Sequence, residues 1–262
     1  MGFWVSQNAE ILANAPLEEA VYHLKLKASL IAHKALPGQF VALGGFGTLL
    51  PRPFDLYRIN PKDASIEIIY RVKGTGTHLL SQRPPGTHLT VNGPFGQNIM
   101  DRLHTTHRLA LIGRGVGLAP FPLLAEAAAR RGIEVHTYAS VRHASLFEPF
   151  RDLSRWGSLT LWSDEDHPGA QITDAFAQDL KVLPFEAALV VGSRRLARST
   201  LSLSHDYGFI PYMLSESSMG CGFGYCKACA LPLRNGYSLA CLEGPLVDLR
   251  EVSDAYWTSI PS

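Results

Sequence analysis

Cysteine occurs four times in this chain, and all four lie after residue 220, at Cys221, Cys226, Cys229 and Cys241. Their spacing, C-x4-C-x2-C-x11-C, is the plant-type pattern that holds a 2Fe–2S cluster in four thiolates. Gly222 and Gly224 fit such a loop, which needs positive φ and close backbone approach and turns amide N–H groups toward anionic sulfur. Two other chemistries use cysteine. A structural zinc ordinarily sits between two C-x2-C knuckles, and Cys226/Cys229 make one here. Disulfides require an oxidising compartment, and a chain of 262 residues does not need them as staples. The spacing favours the cluster, with zinc and disulfides as the competing readings.

Three further stretches carry groups suited to phosphate. Gly113-Arg114-Gly115-Val116-Gly117 follows the apolar run Leu109-Ala110-Leu111-Ile112 and precedes a helical pattern. Glycines there admit a pyrophosphate to the backbone and to a helix N-terminus. The loop is neither the G-x-G-x-x-G fingerprint nor a P-loop, so a tight turn without function competes. Arg52-Pro53-Phe54-Asp55 offers a guanidinium, a natural bidentate partner for phosphate; a solvated loop is the plain alternative. Lys73-Gly74-Thr75-Gly76-Thr77 offers backbone N–H groups and a hydroxyl, or is only a hairpin turn. The ten histidines show no ligand spacing, and His104 and His107 flank a polar turn. No G-x-S-x-G elbow and no H-E-x-x-H occurs.

The elements that must position these groups are legible in outline. From Ala9 to about Asn98, short runs such as Val21–Leu26 and Ser65–Val72 alternate in part with period two and are separated by Pro/Gly/Asn turns. That texture predicts an antiparallel barrel. After Arg108 strands and helices alternate, with strands at Leu109–Ile112, Ile133–Val141, Leu159–Trp162, Ala187–Val191 and Phe209–Leu214. Helices are expected after Pro120, around Ile172–Leu180 and from Arg194 to about His205. Alternation of this kind predicts a parallel sheet with helices on both faces. Hydrophobic residues at 46% suffice for real cores. A net charge of +1 argues against nucleic acid as partner, no apolar run approaches the ~20 residues that span a bilayer, and Met1 to Pro16 lacks a signal-peptide pattern. Thiolate ligands fit a reducing cytoplasm.

Taken in order, these pieces resemble the electron-transfer subunit of class-B dihydroorotate dehydrogenase, among the ferredoxin reductase-like flavoproteins. Pro37-Gly38-Gln39-Phe40 is similar to the segment before that family's flavin motif, and Arg52-Pro53-Phe54-Asp55 stands where the family has R-P-x-S. Ile69-Tyr70-Arg71 and Gly76-Thr77 match its other FAD contacts, and Asn92-Gly93-Pro94-Phe95-Gly96 looks like the turn closing its barrel. Gly113 to Pro120 resembles its nicotinamide-side loop. The four cysteines, with Glu243-Gly244-Pro245, match its 2Fe–2S module.

The resemblance implies a multi-domain β plus α/β fold. An FAD-binding β-barrel would occupy residues 1–100, a Rossmann-like NAD(P)-binding domain 101–212, and a 2Fe–2S module 213–262. It implies FAD on Arg52, Pro53, Phe54, Asp55, Ile69, Tyr70, Arg71, Gly76 and Thr77, and NAD(P) on Gly113, Gly115 and Gly117. Asp55 would stand near flavin N5, unless it only caps its own turn. The implied partner is an FMN-containing dihydroorotate dehydrogenase catalytic subunit, in a heterotetramer that serves pyrimidine synthesis, with Phe223 and Tyr225 as interface or as local packing. Three positions depart from the family pattern: Asp55 for Ser or Thr, Arg114 for a glycine, and Val191-Gly192-Ser193 for Cys-Gly-Pro. Two rival readings use the same parts, a reductase subunit of another redox complex and a redox-sensing module that does not turn over.

Overall fold

The computed structural model describes residues 4–18, 20–215 and 217–258; the outermost parts of the expected first and third domains, with Glu19 and Glu216, lie outside them.

The first sheet has seven strands: β1 (Val5–Glu18), β2 (Val21–Lys27), β3 (Phe40–Gly44), β4 (Arg52–Asp55), β5 (Arg58–Asn60), β6 (Ser65–Arg71) and β7 (His88–Phe95). They are ordered β4-β3-β7-β1-β2-β6-β5, and every pairing is antiparallel. The two edge strands are consecutive in the chain, joined only through Leu56 and Tyr57. Such a link reaches no more than about 11 Å, whereas the edges of a flat seven-stranded sheet stand about 30 Å apart. The sheet must therefore roll up, and the chain rather than a hydrogen-bond ladder closes the barrel. Inside it lie Leu24, Leu26, Ile66, Ile68, Val91 and their neighbours. Helix α1 (Ser29–Ala32) packs Ile31 into that core, and α2 (Thr75–Ser81) connects β6 to β7.

The second sheet begins with β8 (Arg108–Arg114), β9 (Glu134–Val141), β10 (Ser158–Ser163), β11 (Ala187–Val191) and β12 (Ile210–Leu214), all parallel. Helix α3 (Phe121–Arg130) covers one face, where Leu124 and Ala128 pack with Leu109 and Leu111. Helices α4 (Ile172–Asp179) and α5 (Arg194–Tyr207) cover the other, with Phe176 and Leu196 on Ile112 and Val190. The alternation expected from sequence is present, with element ends shifted by one or two residues.

Two features were not legible. Ala144–Arg155 forms 3-10 turns whose Phe147 and Phe150 are buried against the barrel-facing core with Tyr57 and Ile69. After the hairpin β13 (Ala230–Leu233) and β14 (Gly236–Leu239), strand β15 (Leu246–Asp248) pairs antiparallel to β12. The full order is β10-β9-β8-β11-β12-β15, so the C-terminal segment supplies an edge strand of the second sheet. Helix α6 (Asp254–Thr258) ends the described chain.

Candidate functional site

A cavity of about 470 Å³ opens where the two sheets and the cysteine-bearing segment meet, within the range that holds a cofactor. From the barrel, Pro53, Phe54 and Asp55 of β4, Ile69, Tyr70 and Arg71 of β6, and Thr77 of α2 line it. The second sheet contributes the turn after β8, through Val116, Gly117 and Ala119. Ser215, Ser217, Ser218 and Met219, leading into Cys221, form a third wall with Pro245.

The barrel side is rigid. Tyr70 is 2% exposed; its hydroxyl donates to Asn14 Oδ1 at 3.0 Å, and its ring meets Phe54 edge-on at 5.7 Å. Burial pushes the phenol pKa up, so Tyr70 stays a neutral donor. Asp55 stands opposite Phe40 in the β3–β4 ladder and faces the cavity. Arg52 and Gly76, 24 positions apart in sequence, are in contact: a Cβ on Gly76 would lie 2.9 Å from Arg52 Nε. Arg52 itself lies beside the cavity and not in its lining. The Thr77 hydroxyl is committed to its own helix start, accepting from Lys73 N at 2.9 Å and Gly74 N at 3.2 Å and donating to Gly74 O at 3.0 Å. Phosphate is therefore left the backbone of that turn and the neighbouring cations, Arg52 and the cavity-lining Lys73.

The three glycines of the second loop do different work. A Cβ on Gly113 would lie 2.6 Å from Leu118 Cδ2 and 2.7 Å from Phe121 Cε2, and one on Gly117 3.0 Å from Val191 O. These two let β8, the turn and β11 close on one another. Gly115, at φ +59, faces open space, with nothing within 4 Å of its Cβ position. Ser193, at the third departure from the family pattern, caps α5 by accepting from Leu196 N at 3.3 Å.

The cysteines gather as two pairs. Cys229 and Cys241 are buried with their sulfurs 3.2 Å apart, too far for a disulfide at about 2.05 Å. Cys221 and Cys226 exchange backbone contacts, N to Sγ, at 3.3 and 3.4 Å. Among the described residues no group of three or more His, Cys, Asp or Glu is placed to hold a metal ion. Two dithiol pairs from one loop and its flank are four thiols, the number a 2Fe–2S cluster would take as ligands. Backbone N–H groups of Ala228 and Cys221 lower the Cys226 thiol to about 7, the direction that favours a ligating thiolate. Burial and the adjoining Cys229 push Cys241 up to about 12, a cost that a cation would remove.

Phe40, Phe95, Ala240 and Met219 pack around the buried cysteines. Phe40 and Met219 also line the cavity, so the two sites share these side chains. Phe223 is 44% exposed and stacks on Trp4 at 5.4 Å, while Tyr225 is 86% exposed. His104 and His107 are exposed. Sequence reasoning included Lys73 in its turn without giving its ammonium a role, and passed over Met219 and the serines at 215, 217 and 218. A cation next to a Gly-Thr turn and a polar run before the first cysteine were the available signals.

Residues 216–253 match the family described as the iron-sulfur cluster binding domain of dihydroorotate dehydrogenase B. Over 254 residues the chain is 30% identical to the dihydroorotate dehydrogenase B (NAD(+)) electron transfer subunit of Geobacillus thermodenitrificans (strain NG80-2), covering 92% of this chain and 96% of that protein. The subunit of the same name from Geobacillus sp. (strain WCH70) is 28% identical over 251 residues, with the same coverage. The fold is similar to that of an NADH-dependent reduced ferredoxin-NADP oxidoreductase, with a TM-score of 0.81 at 22% identity over 94% of this chain and 89% of that one. It is also similar to a ferredoxin NADP+ reductase from Neisseria gonorrhoeae, with a TM-score of 0.63 at 15% identity over 78% and 92%. With a relative of this identity matched along nearly its whole length, the chain belongs to the family of electron transfer subunits of dihydroorotate dehydrogenase B.

Proposed function

We propose that this chain carries FAD in the 470 Å³ cavity and a 2Fe–2S cluster on Cys221, Cys226, Cys229 and Cys241. It exchanges a hydride with NAD(P)(H) at the C-terminal edge of the second sheet and passes electrons to or from an FMN-containing dihydroorotate dehydrogenase catalytic subunit. Residues 1–100 serve FAD, 101–212 the pyridine nucleotide and 213–262 the cluster, with β15 folded back to brace the second sheet. The assembly is a heterotetramer with two copies of each subunit, in the reducing cytoplasm that keeps thiols as ligands. No helix among the described residues is long and apolar enough to cross a membrane.

The observation that carries this reading is the single cavity built by all three segments, with Met219 two positions before Cys221 on its wall. When bound, FAD converts a two-electron hydride into single electrons and the cluster relays them; the protein positions and insulates. Phe54 and Tyr70 would flank the ring system, Arg52 and the Gly76-Thr77 turn would hold the pyrophosphate, and Asp55 would set the charge beside the flavin. Gly113, Gly115 and Gly117 bring the second loop close enough for a dinucleotide. Anaerobic reconstitution should give one FAD, two irons and two sulfides per chain, the stoichiometry of one 2Fe–2S site. The holoprotein should oxidise NADH or NADPH with an artificial acceptor and co-purify with the FMN subunit. Zinc in place of iron, or both cofactors without turnover, would refute it, the latter in favour of a redox-sensing module.

A further inference from the structure

We propose that Arg114 is a diphosphate-binding residue held in reserve by Asp164, and that a dinucleotide entering the crevice takes its guanidinium from that carboxylate. The inference rests on the nucleotide reading above and names the side chain that receives the phosphates.

Arg114 is the last residue of β8, Asp164 directly follows β10, and β9 lies between those strands in the sheet. Their ion pair therefore crosses the C-terminal end of β9, beside the point between β8 and β11 where the strand order turns. Open parallel sheets bind their ligands at that switch point. The pair is bidentate, Nη1 to Oδ1 at 2.8 Å and Nη2 to Oδ2 at 2.6 Å. A fork that fits a carboxylate fits a phosphate equally well, and a diphosphate brings more charge. The side chains are 35% and 42% exposed, so an anion arriving from solvent can reach both partners. Gly115, next in the chain, faces open space, and Gly192 lies beside the base of the Arg114 side chain, where a Cβ would stand 3.4 Å from Arg114 Cβ.

Release would not leave Asp164 bare. Arg142 and Arg195 act on its carboxyl alongside Arg114, which lowers it most. Neither Arg142 nor Arg195 has a hydrogen-bond or ion-pair partner among the described residues. The other acids of the loop are engaged: Glu165 accepts from His143 at 2.9 Å, and Asp166 from Ser163 Oγ at 2.5 Å. The exchange moves no proton and breaks no covalent bond. One guanidinium swaps a carboxylate for a phosphate, and the carboxylate keeps two guanidinium neighbours.

The test is titration of the holoprotein with ADP-ribose, which has the diphosphate without the nicotinamide, and with adenosine as the phosphate-free control. FAD content and cluster absorbance verify the fold of each variant. Arg114→Ala should weaken ADP-ribose binding about tenfold or more, and Arg114→Lys should fall between, since it keeps charge without the fork. Asp164→Asn, which frees the guanidinium, should tighten ADP-ribose severalfold, with adenosine indifferent to all three changes. Weakening by both Arg114→Ala and Asp164→Asn would make the pair a structural strut, and tightening by Arg114→Ala would make Arg114 an obstruction. Either result overturns the exchange, as does wild-type affinity in Asp164→Asn. FAD-loaded wild type that neither binds ADP-ribose nor oxidises NADH or NADPH would sink the nucleotide reading itself.

Discussion

Gly222→Ala adds one methyl group to the loop between the first two cysteines, and its cost can be assembled from two parts. Gly222 has φ +84, and an L-residue in that left-handed region costs about 1–2 kcal/mol. The new Cβ would stand 2.8 Å from Phe95 Cε2 and 3.0 Å from Cζ. That ring cannot give way easily, being 4% exposed and held by Phe40 at 5.8 Å and Trp4 at 6.0 Å. Overpacking of this kind costs about 1–3 kcal/mol, so the sum is about 2–5 kcal/mol, concentrated on the loop that sets Cys221 and Cys226. Gly236 is the control: at φ +95 with nothing within 4 Å of its Cβ position, Gly236→Ala has only the backbone part, about 1–2 kcal/mol. Denaturant unfolding followed by visible cluster absorbance, with iron content as the second readout, measures both variants. Gly222→Ala should lose cluster at lower denaturant than Gly236→Ala, and Phe95→Leu should recover part of the difference. Equal losses for the two glycines would refute the steric half of the argument.

Arg52→Ala should weaken FAD binding by roughly 1.5–3 kcal/mol, about ten- to a hundredfold; equilibrium dialysis showing unchanged affinity would make Arg52 a surface residue. Asp55→Ser removes a carboxylate from the cavity wall and should raise the flavin midpoint potential, because reduced flavin is anionic and like charges repel. Potential and hydride-transfer rate both unchanged across pH would mean that Asp55 does not reach the flavin. Cys229→Ser should abolish the visible cluster absorbance and lower iron content, since the chain has no spare cysteine. The hydrogen bond from His23, ahead of Lys25 and Arg58, holds the Glu67 carboxyl below its ordinary value despite burial. Stability from Glu67 is therefore full above the ordinary carboxylate pKa, near 4.3, and fades as pH falls through the lowered one. Glu67→Gln should flatten the acid limb of Tm against pH, and an unchanged limb would remove Glu67 from the acid response.

What is local in the chain was readable from its residues alone. Three of the four cysteines fall within nine positions, so their spacing already constrains the loop and announces the chemistry it suits. The barrel and the parallel sheet were likewise visible, because period two and strand–helix alternation are written residue by residue in burial. How the parts meet depends on the folded chain. Phe40, Tyr70, Val116 and Met219 share one cavity although no spacing relates them, since a pocket is made by surfaces and not by runs. The same physics redirected groups that looked free. Thr77 spends its hydroxyl on its own helix start, accepting from Lys73 N and Gly74 N, where unpaired N–H groups need an acceptor. Gly113 lets Leu118 and Phe121 pack against its backbone, and Arg114 reaches across a strand to Asp164. The short run at Leu246–Asp248 became a strand only because β12 offered an unpaired edge, and a sheet edge left open is a demand for hydrogen bonds that sequence cannot display.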